Sequence, residues 1–278
     1  MSRLMAGMVL AAGVSVAALA PGDARADLRN YVKICGGANS TAHEMVNFCR
    51  KAIKTGRLNR RAEAQVYANL SIGYFELGQF LGAVDAADAA LKADSTLVAA
   101  LVSRAKANEQ LQKLKEAIAD YDRAIQLDRN AVDAFLGRGV LFLKNGNLYG
   151  SVEDLTRAIA LDSDLGIARF NRGIAYLELG QPSRADADFS KLIKENGSDA
   201  GAYLYRGQAR AGLKRADAIK DFNRAIELSS EWGFAWFVRG RYRDRRGDRE
   251  GANGDFLRAY ELGHNDPWLI ERVRDISG

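Results

Sequence analysis

The sequence predicts an all-α protein, a solenoid of antiparallel helix hairpins, and three observations support this fold class. The chain of 278 residues repeats one pattern six times, in units that start at residues 64, 98, 132, 166, 200 and 233. Small residues recur at two fixed points of every unit, and a glycine separates those points in four units. With 47% hydrophobic and 27% charged residues, the composition is that of an ordinary soluble protein.

The first 26 residues have the layout of a secretory signal peptide. Arg3 precedes an apolar run from Leu4 to Ala20, and a small-x-small tripeptide ends at Ala26. We expect cleavage after Ala26, so that an exported mature chain starts at Asp27. The alternative is an uncleaved membrane anchor, which is disfavoured because the run is at the short limit for a spanning helix and contains Gly and Ser.

Residues 27–63 are predicted to form an N-terminal capping segment held by a disulfide. Cys35 and Cys49 are the only cysteines, and in an oxidising compartment one disulfide between them is the default expectation. Two free buried thiols are the alternative. A metal site lacks ligands, because neither of the two histidines lies at ligand spacing from the cysteines. Thr41 and Glu44 form a capping box, which begins the helix that carries Cys49.

Each repeat is predicted to be a pair of helices that approach closely at two small residues. The first of these lies at position 8 of its unit, in the series Ser71, Ala105, Gly139, Gly173, Gly207 and Gly240. The second lies on the following helix, in the series Ala83, Ala117, Ser151, Ala185, Ala218 and Ala252. Large residues three or four positions further along share that helical face and pack around the contact.

A glycine with positive φ is expected to end the first helix of most hairpins. Four units place one there, namely Gly78, Gly146, Gly180 and Gly247. The second unit has Gln112 at this point, and the fifth unit places Gly212 early. At the C-terminal end, Asp266 and Pro267 are predicted to begin a capping helix, whose Leu269 lies on its apolar face.

These residues resemble the tetratricopeptide repeat family, which has a small residue at position 8, glycine at 15, alanine at 20, an aromatic at 24 and alanine at 27. The resemblance implies a right-handed superhelical solenoid. Its hairpins would span 64–97, 98–131, 132–165, 166–199, 200–232 and 233–266, with a capping helix over 267–278. Arg210 and Arg243 depart from the pattern, because they stand at position 11, where the family has a large residue. Exported members of the family from Gram-negative bacteria have similar N-terminal segments, which implies a periplasmic location.

The resemblance also implies that the first helices line a concave groove that binds a protein or peptide segment. The residues at ligand-facing positions are Asn69, Ile72, Phe75, Val102, Lys106, Leu136, Val140, Leu143, Phe170, Asn171, Ile174, Leu177, Leu204, Phe237 and Arg241. Because the middle of this set is apolar and its rim is basic, we expect an apolar partner segment with an acidic flank. The family's clamp for a C-terminal carboxylate is not reproduced, since the basic residues around Asn69 and Asn171 differ.

Two charge ladders accompany the repeats. Arginine recurs at position 7, as Arg104, Arg138, Arg172, Arg206 and Arg239. Aspartate recurs on the second helix, as Asp120, Asp154, Asp188, Asp221 and Asp255. An anion groove or catalytic acids are alternatives, but five copies favour framework ion pairs between neighbouring helices, because a catalytic group is needed only once. The sequence contains no enzyme, cofactor or metal motif, so we predict a non-enzymatic scaffold.

The formal net charge of +5 is small, and the stretch from 239 to 250 has six arginines and three acids. We expect the positive excess to be concentrated there. A solvated helix face is the simpler interpretation, and the alternative function is a surface from Arg239 to Arg249 that binds anionic glycans or lipid head groups. Nucleic acid is not an expected partner after export, and stable membrane insertion is not expected once the signal is removed.

Overall fold

The computed structural model describes residues 23–277, which form fifteen α-helices and no β-strand. The predicted signal peptide lies outside the described residues except for its last four, and the expected cleavage point after Ala26 falls in the first turn of the first helix. The chain divides into two compact units, which meet in sequence between Leu141 and Phe142. None of the described helices is both long and apolar enough to span a bilayer.

The first unit contains six helices and most of a seventh. They are α1 (Asp23–Cys35), α2 (Ala42–Lys54), α3 (Arg60–Glu76), α4 (Phe80–Ala93), α5 (Val98–Gln110), α6 (Leu114–Leu127) and α7 (Val132–Lys144). From α1 to α6, each helix packs against the next one, and α3 also contacts α5. The first helices of neighbouring hairpins therefore lie side by side, as a stack of hairpins requires.

The second unit contains the end of α7 and eight further helices. They are α8 (Leu148–Leu161), α9 (Gly166–Glu178), α10 (Pro182–Glu195), α11 (Ala200–Gly212), α12 (Ala218–Leu228), α13 (Gly233–Arg245), α14 (Arg249–Glu261) and α15 (Pro267–Ser277). From α8 to α15, each helix packs against the next one, and α9 also contacts α11. The helix hairpins that the sequence predicts are thus present, whereas the exact limits of the six repeats stay a prediction.

Close helix contacts in the second unit occur where a glycine of the first helix faces an aromatic ring of the second. In each pair, a Cβ atom built on the glycine would lie 2.6 Å from the nearest ring carbon. The pairs are Gly173 with Phe189, Gly207 with Phe222, and Gly240 with Phe256. All three rings are buried. These contacts confirm that the small residue at position 8 lets the two helices approach.

The first unit makes the same contact with alanine and serine. Ala105, Ala117 and Tyr121 belong to one buried cluster. Ser71 is buried, and its hydroxyl donates a 2.8 Å hydrogen bond to the carbonyl of Ala83, the second small residue of that hairpin. The hydroxyl oxygens of Ser71 and Ser103 lie 2.6 Å apart. Serine is therefore accommodated at this contact because its polar group is hydrogen-bonded.

The turns inside the hairpins have one residue in the left-handed region. The predicted glycines adopt φ values between 67° and 84°, at Gly78, Gly146, Gly180 and Gly247. In the second hairpin Gln112 adopts a φ of 59°. The expectation that Gly212 serves this role is wrong, because Gly212 is the last residue of α11 and Lys214 takes the left-handed conformation, with a φ of 58°. The N–H of Lys214 donates to the Ala211 carbonyl at 3.0 Å and thereby closes the turn.

The N-terminal helices α1 and α2 pack on the first repeat, as the sequence predicts. The Sγ atoms of Cys35 and Cys49 lie 2.08 Å apart, and both residues are buried in a cluster with Val66 of α3. The capping box is present, since the Glu44 N–H donates to Thr41 Oγ1 at 3.2 Å and the Thr41 N–H donates to Glu44 Oε2 at 2.9 Å.

The C-terminal helix α15 covers the last hairpin. Its predicted N-cap is confirmed, because the Leu269 N–H donates to Asp266 Oδ1 at 3.2 Å. Leu269 and Val273 are buried in a cluster with Phe256 of α14. The Trp268 ring lies 6.1 Å from the ring of Phe237 on α13. The last repeat is thus covered on the side where a further repeat would pack.

Candidate partner-binding surface

The arginine ladder is part of the framework. Four arginines each donate two hydrogen bonds of 2.6 to 3.0 Å to one carboxylate on the second helix of their own hairpin. The pairs are Arg104 with Asp120, Arg172 with Asp188, Arg206 with Asp221, and Arg239 with Asp255. These aspartates are buried. Bidentate pairs at buried seams confirm the structural interpretation of both ladders.

The same arginines also reach the preceding hairpin. Each of their Nη1 atoms donates to a residue sixteen positions earlier, namely Asp88, Thr156, Ser190 and Asn223 in chain order. Arg138 donates in the same way to Asp122. One guanidinium therefore joins three helices, which explains why arginine, with five donors in a fixed plane, occupies this position in five repeats.

The arginines at position 11 are explained by these buried carboxylates. Arg210 Nη1 donates to Asp221 Oδ2 at 2.9 Å, and Arg243 Nη1 donates to Asp255 Oδ2 at 2.9 Å. Each lies four residues after a ladder arginine and so shares its helical face. Sequence reasoning missed these contacts, although the four-residue spacing was the available signal. At position 11 the family has a large packed residue. Arg210 and Arg243 instead form a second ion pair with the buried aspartate that already binds the ladder arginine of the same helix.

Two groups near Asp120 of the ladder, Tyr121 and Arg104, each stay in one protonation state. Tyr121 donates its hydroxyl hydrogen to Glu109 Oε1 at 2.5 Å, and burial raises the pKa of Tyr121 well above its usual range. Hydrogen bonds to Asp120 raise the pKa of Arg104. Because these groups keep one charge state across the physiological range, they serve as fixed framework groups.

Three of the predicted groove residues are buried and do not offer their side chains to a partner. They are Val102, Leu204 and Phe237. Val102 belongs to the core cluster around Tyr121, and Leu204 packs in the cluster around Phe222. Phe237 packs against His264 and Trp268. We therefore correct the prediction for these three positions, where packing between helices takes up the side chain.

The other predicted groove residues of the first unit are half-buried. They are Asn69, Ile72, Phe75, Lys106, Leu136 and Val140. Asn69 accepts a 3.2 Å hydrogen bond from Gln65 one turn earlier. Lys106 lies 3.4 Å from Asp133 of α7, so its charge is already paired within the unit. This side of the first unit is therefore less basic than the sequence suggests.

The predicted groove residues of the second unit include a row along α9. Phe170, Asn171, Ile174 and Leu177 are all half-buried. The Phe170 ring lies edge-on to Phe189 at 5.6 Å and to Tyr205 of α11 at 5.4 Å. Leu143 is also half-buried. The α9 row thus continues onto α11 through the Phe170–Tyr205 contact.

Sequence reasoning missed Ile167, the most exposed apolar member of this row. Ile167 has 43% of its surface exposed and lies three and four residues before Phe170 and Asn171, on the same helical face. The Asn171 side-chain amide donates to the Ile167 carbonyl at 2.8 Å. The sequence offered one signal for Ile167. It stands at position 2 of its repeat, a ligand-facing position at which the family pattern does not fix the residue type. We define the α9 stripe as Ile167, Phe170, Asn171, Ile174 and Leu177.

Three of the six arginines between 239 and 250 have partners within the fold. Arg239 and Arg243 bind Asp255, and Arg241 stacks on the Trp268 ring at 4.5 Å. A cavity of about 520 Å³ beside them is lined by three carboxylates, two arginines and a tryptophan, namely Asp244, Glu271, Asp275, Arg249, Arg272 and Trp268. This surface therefore has mixed charge.

The expectation that the positive excess is concentrated late in the chain is wrong. Residues 62–278 contain 30 basic and 32 acidic residues. The excess lies instead in residues 28–61, where eight basic residues face one acidic residue. The acids that accompany the repeats compensate the arginines of the sixth hairpin.

Stacked helix hairpins joined by repeated ion pairs define the class of an α-helical solenoid. Two family models match the chain, one described as "TPR repeat" over residues 110–146 and one described as "Tetratricopeptide repeat" over residues 170–231. The chain contains tetratricopeptide repeats in these two segments, and the fold that such repeats build is typical of protein–protein interaction scaffolds. A search of curated proteins found no significant match to the sequence.

Solved structures show the same fold. MamA is 25% identical, with a TM-score of 0.55 over 61% of this chain and 93% of its own. A tetratricopeptide repeat protein from Parabacteroides merdae is 18% identical, with a TM-score of 0.61 over 89% of this chain and 96% of its own. YrrB, described as a TPR protein with an unusual peptide-binding site, is 19% identical, with a TM-score of 0.58 over 69% of this chain and 99% of its own.

Proposed function

We propose that the protein is a non-enzymatic scaffold of the cell envelope that binds a peptide or protein segment on the α9 stripe. The observation that carries this proposal is the row of apolar side chains on one face of α9, which begins with the exposed Ile167 and continues to Leu177. Contiguous exposed apolar surface rimmed by polar groups is typical of interaction sites. The peptide-binding site in the description of YrrB supports this reading.

The polar groups beside the stripe suit an extended or helical segment. Asn171 uses its amide nitrogen within its own helix, so its oxygen is available to accept from a partner. Burial, followed by the charge of Glu178, raises the pKa of Tyr205, which therefore keeps its hydroxyl proton as a donor. For the acidic flank of the partner we propose Lys144, which is exposed at the end of α7, because Lys106 is already paired with Asp133. Apolar burial then supplies most of the affinity.

Ile167→Asp is expected to weaken partner binding at least tenfold, because it places a charge in the apolar contact. The variant should fold normally, since Ile167 lies in the first turn of α9, where the helix dipole favours an acidic residue. A pull-down from envelope extract with mass spectrometry would identify the partner, and titration with the purified partner would measure the change. Phe170 is less suitable for this test, because its ring also packs against Phe189 and Tyr205.

The matched control is Tyr149→Asp, an exposed aromatic at the same position of the first turn of α8, with 75% of its surface exposed. It should leave binding unchanged. Equal losses in both variants would contradict the α9 stripe. Charge reversal at Arg245 and Arg246 tests the alternative function, which is binding of glycans or lipid head groups. If this change abolishes partner capture while Ile167→Asp leaves it unchanged, the alternative replaces our proposal.

We further propose that the chain is exported to the periplasm, starts at Asp27 and carries the Cys35–Cys49 disulfide. The signal-like N-terminal sequence and the bonding distance between the sulfur atoms support this. The intact mass of protein from a periplasmic extract should fit a chain from Asp27 that takes up alkyl groups only after reduction. Uptake of two alkyl groups without reduction would contradict the disulfide, and an unprocessed mass would contradict the cleavage.

A further inference from the structure

The net positive charge of the protein comes from one small region. Residues 28–61 contain eight basic residues and one acidic residue, whereas residues 62–278 are slightly acidic. Six of the basic residues lie within twelve positions around the turn between α2 and α3. We call this group the cationic cap, and it consists of Arg50, Lys51, Lys54, Arg57, Arg60 and Arg61.

The side chains of the cationic cap are all exposed. Two have contacts within the unit: Arg60 Nε donates to the Ala93 carbonyl at 2.7 Å, and Lys51 Nζ lies 4.8 Å from the centre of the Phe48 ring. Within the part of the chain that the structure describes, none of the six lies within 4 Å of a carboxylate. This contrasts with the arginine ladder, where every guanidinium has an acidic partner.

Helix stability explains only part of the charge of the cationic cap. Lys51 and Lys54 lie in the last turn of α2, where the helix dipole favours cations. Arg60 and Arg61 lie in the first turn of α3, where the dipole disfavours them. Mutual repulsion among six like charges adds to this cost. Arg60 is compensated by its hydrogen bond to the Ala93 carbonyl, and Arg60 and Arg61 both interact electrostatically with Asp94 at the end of α4. The clustering of six exposed cations exceeds what these contacts require, which indicates a function for the surface.

The surface offers charge without an apolar centre. Ile53 and Leu58 of the same segment are partly buried in the core cluster of α1 to α3. The exposed large hydrophobic residues of the described chain lie elsewhere, at Leu81, Leu127, Tyr149, Ile167, Tyr260 and Trp268. A protein interface usually contains apolar or aromatic residues at its centre, whereas a layer of lipid phosphates requires only clustered cations.

We propose that the cationic cap docks the protein on a membrane surface of anionic phospholipids. The cap lies in the N-terminal capping segment, which follows the apolar segment from Leu4 to Ala20 that we expect to engage the membrane during export. The α9 stripe lies in the second unit, so docking through α2 and α3 uses residues separate from those that bind the partner.

The test is co-sedimentation of the whole chain with phospholipid vesicles, either all phosphatidylcholine or one third phosphatidylglycerol. The wild-type protein should bind the anionic vesicles and be released by salt on the order of 0.5 M. The variant Arg50→Gln, Lys54→Gln, Arg57→Gln, Arg61→Gln should bind them about a hundredfold more weakly. Equal binding of the wild-type protein to neutral vesicles would overturn the proposal, since an apolar segment would then be responsible.

A matched variant removes the same charge elsewhere in the first unit. Lys92→Gln, Lys113→Gln, Lys115→Gln, Arg123→Gln changes four exposed basic residues and should keep at least a third of the wild-type affinity for anionic vesicles. An equal loss in this variant would overturn the proposal, because net charge alone would explain the binding. If the wild-type protein binds polyglutamate but not anionic vesicles, the proposal is wrong and the cationic cap binds an acidic protein instead. Unchanged thermal melting of both variants excludes misfolding.

Discussion

Replacement of Asp255 by asparagine should destabilise the second unit by about 3 kcal/mol, because it leaves the half-buried guanidinium of Arg239 without a counter-charge and leaves Arg243 with only the exposed Asp248. Asp255 has only 2% of its side chain exposed and accepts hydrogen bonds from Arg239 at 2.7 and 2.9 Å and from Arg243 at 2.9 Å. Asparagine has the same shape but no charge. Hydrogen exchange in α13 and α14 measures the loss of stability locally.

The control for this prediction is Asp88→Asn. Asp88 also accepts from an arginine of the ladder, Arg104, but 54% of its side chain is exposed. Exposed ion pairs contribute about 0 to 1 kcal/mol, so the substitution should change exchange in α4 and α5 very little. If Asp255→Asn is as mild as Asp88→Asn, the ladder does not hold the hairpins together, and another role for the buried aspartates has to be found.

The fold was predictable from the sequence because its determinants are local and repeated. A small residue at position 8 and an aromatic fifteen or sixteen residues later recur in four of the six units, and the structure joins them at Gly173 and Phe189. The turn glycines are equally local, since a single residue with positive φ ends each first helix. Repetition strengthens both signals, because one chance match cannot recur at a constant period.

The surface was less predictable because it depends on what covers each position. Phe237 has the repeat position of Phe170, yet His264 and Trp268, the latter on α15, cover it in the last repeat. Leu204 is buried by packing in the core cluster around Phe222. The role of Arg243 likewise follows from a carboxylate on another helix. Position in the repeat fixes the direction of a side chain, whereas neighbouring elements decide whether it reaches solvent.

The cationic cap was overlooked because it lies outside the repeats. The periodic pattern starts at residue 64, and the six basic residues lie just before it. In the late arginine stretch, Asp248 lies among the cations and pairs with Arg243, and Asp255 on α14 pairs with Arg239 and Arg243. The same count of basic and acidic residues, applied to the early stretch, distinguishes the two from the sequence alone, because residues 50–61 contain six basic residues and no acidic one, whereas residues 239–250 contain six and three.

Gly173→Leu should destabilise the fourth hairpin by about 3 kcal/mol, because the contact between α9 and α10 has no room for a side chain. A Cβ atom at this position would lie 2.6 Å from Phe189 Cζ. The Phe189 ring cannot move aside, since it is buried and packs against Phe170 and Tyr205. The protein would have to separate the two helices and lose part of that cluster.

The matched substitution is Gly254→Leu in α14, where a Cβ atom would meet no other atom within 4 Å. It should stabilise the protein by about 0.5 to 1 kcal/mol, because leucine favours a helix more than glycine does. Thermal melting compares the two variants, and hydrogen exchange should rise for Gly173→Leu in α9 to α11 first, since hairpins contact mainly their neighbours. An equal rise in every helix would contradict a stack of locally stabilised hairpins.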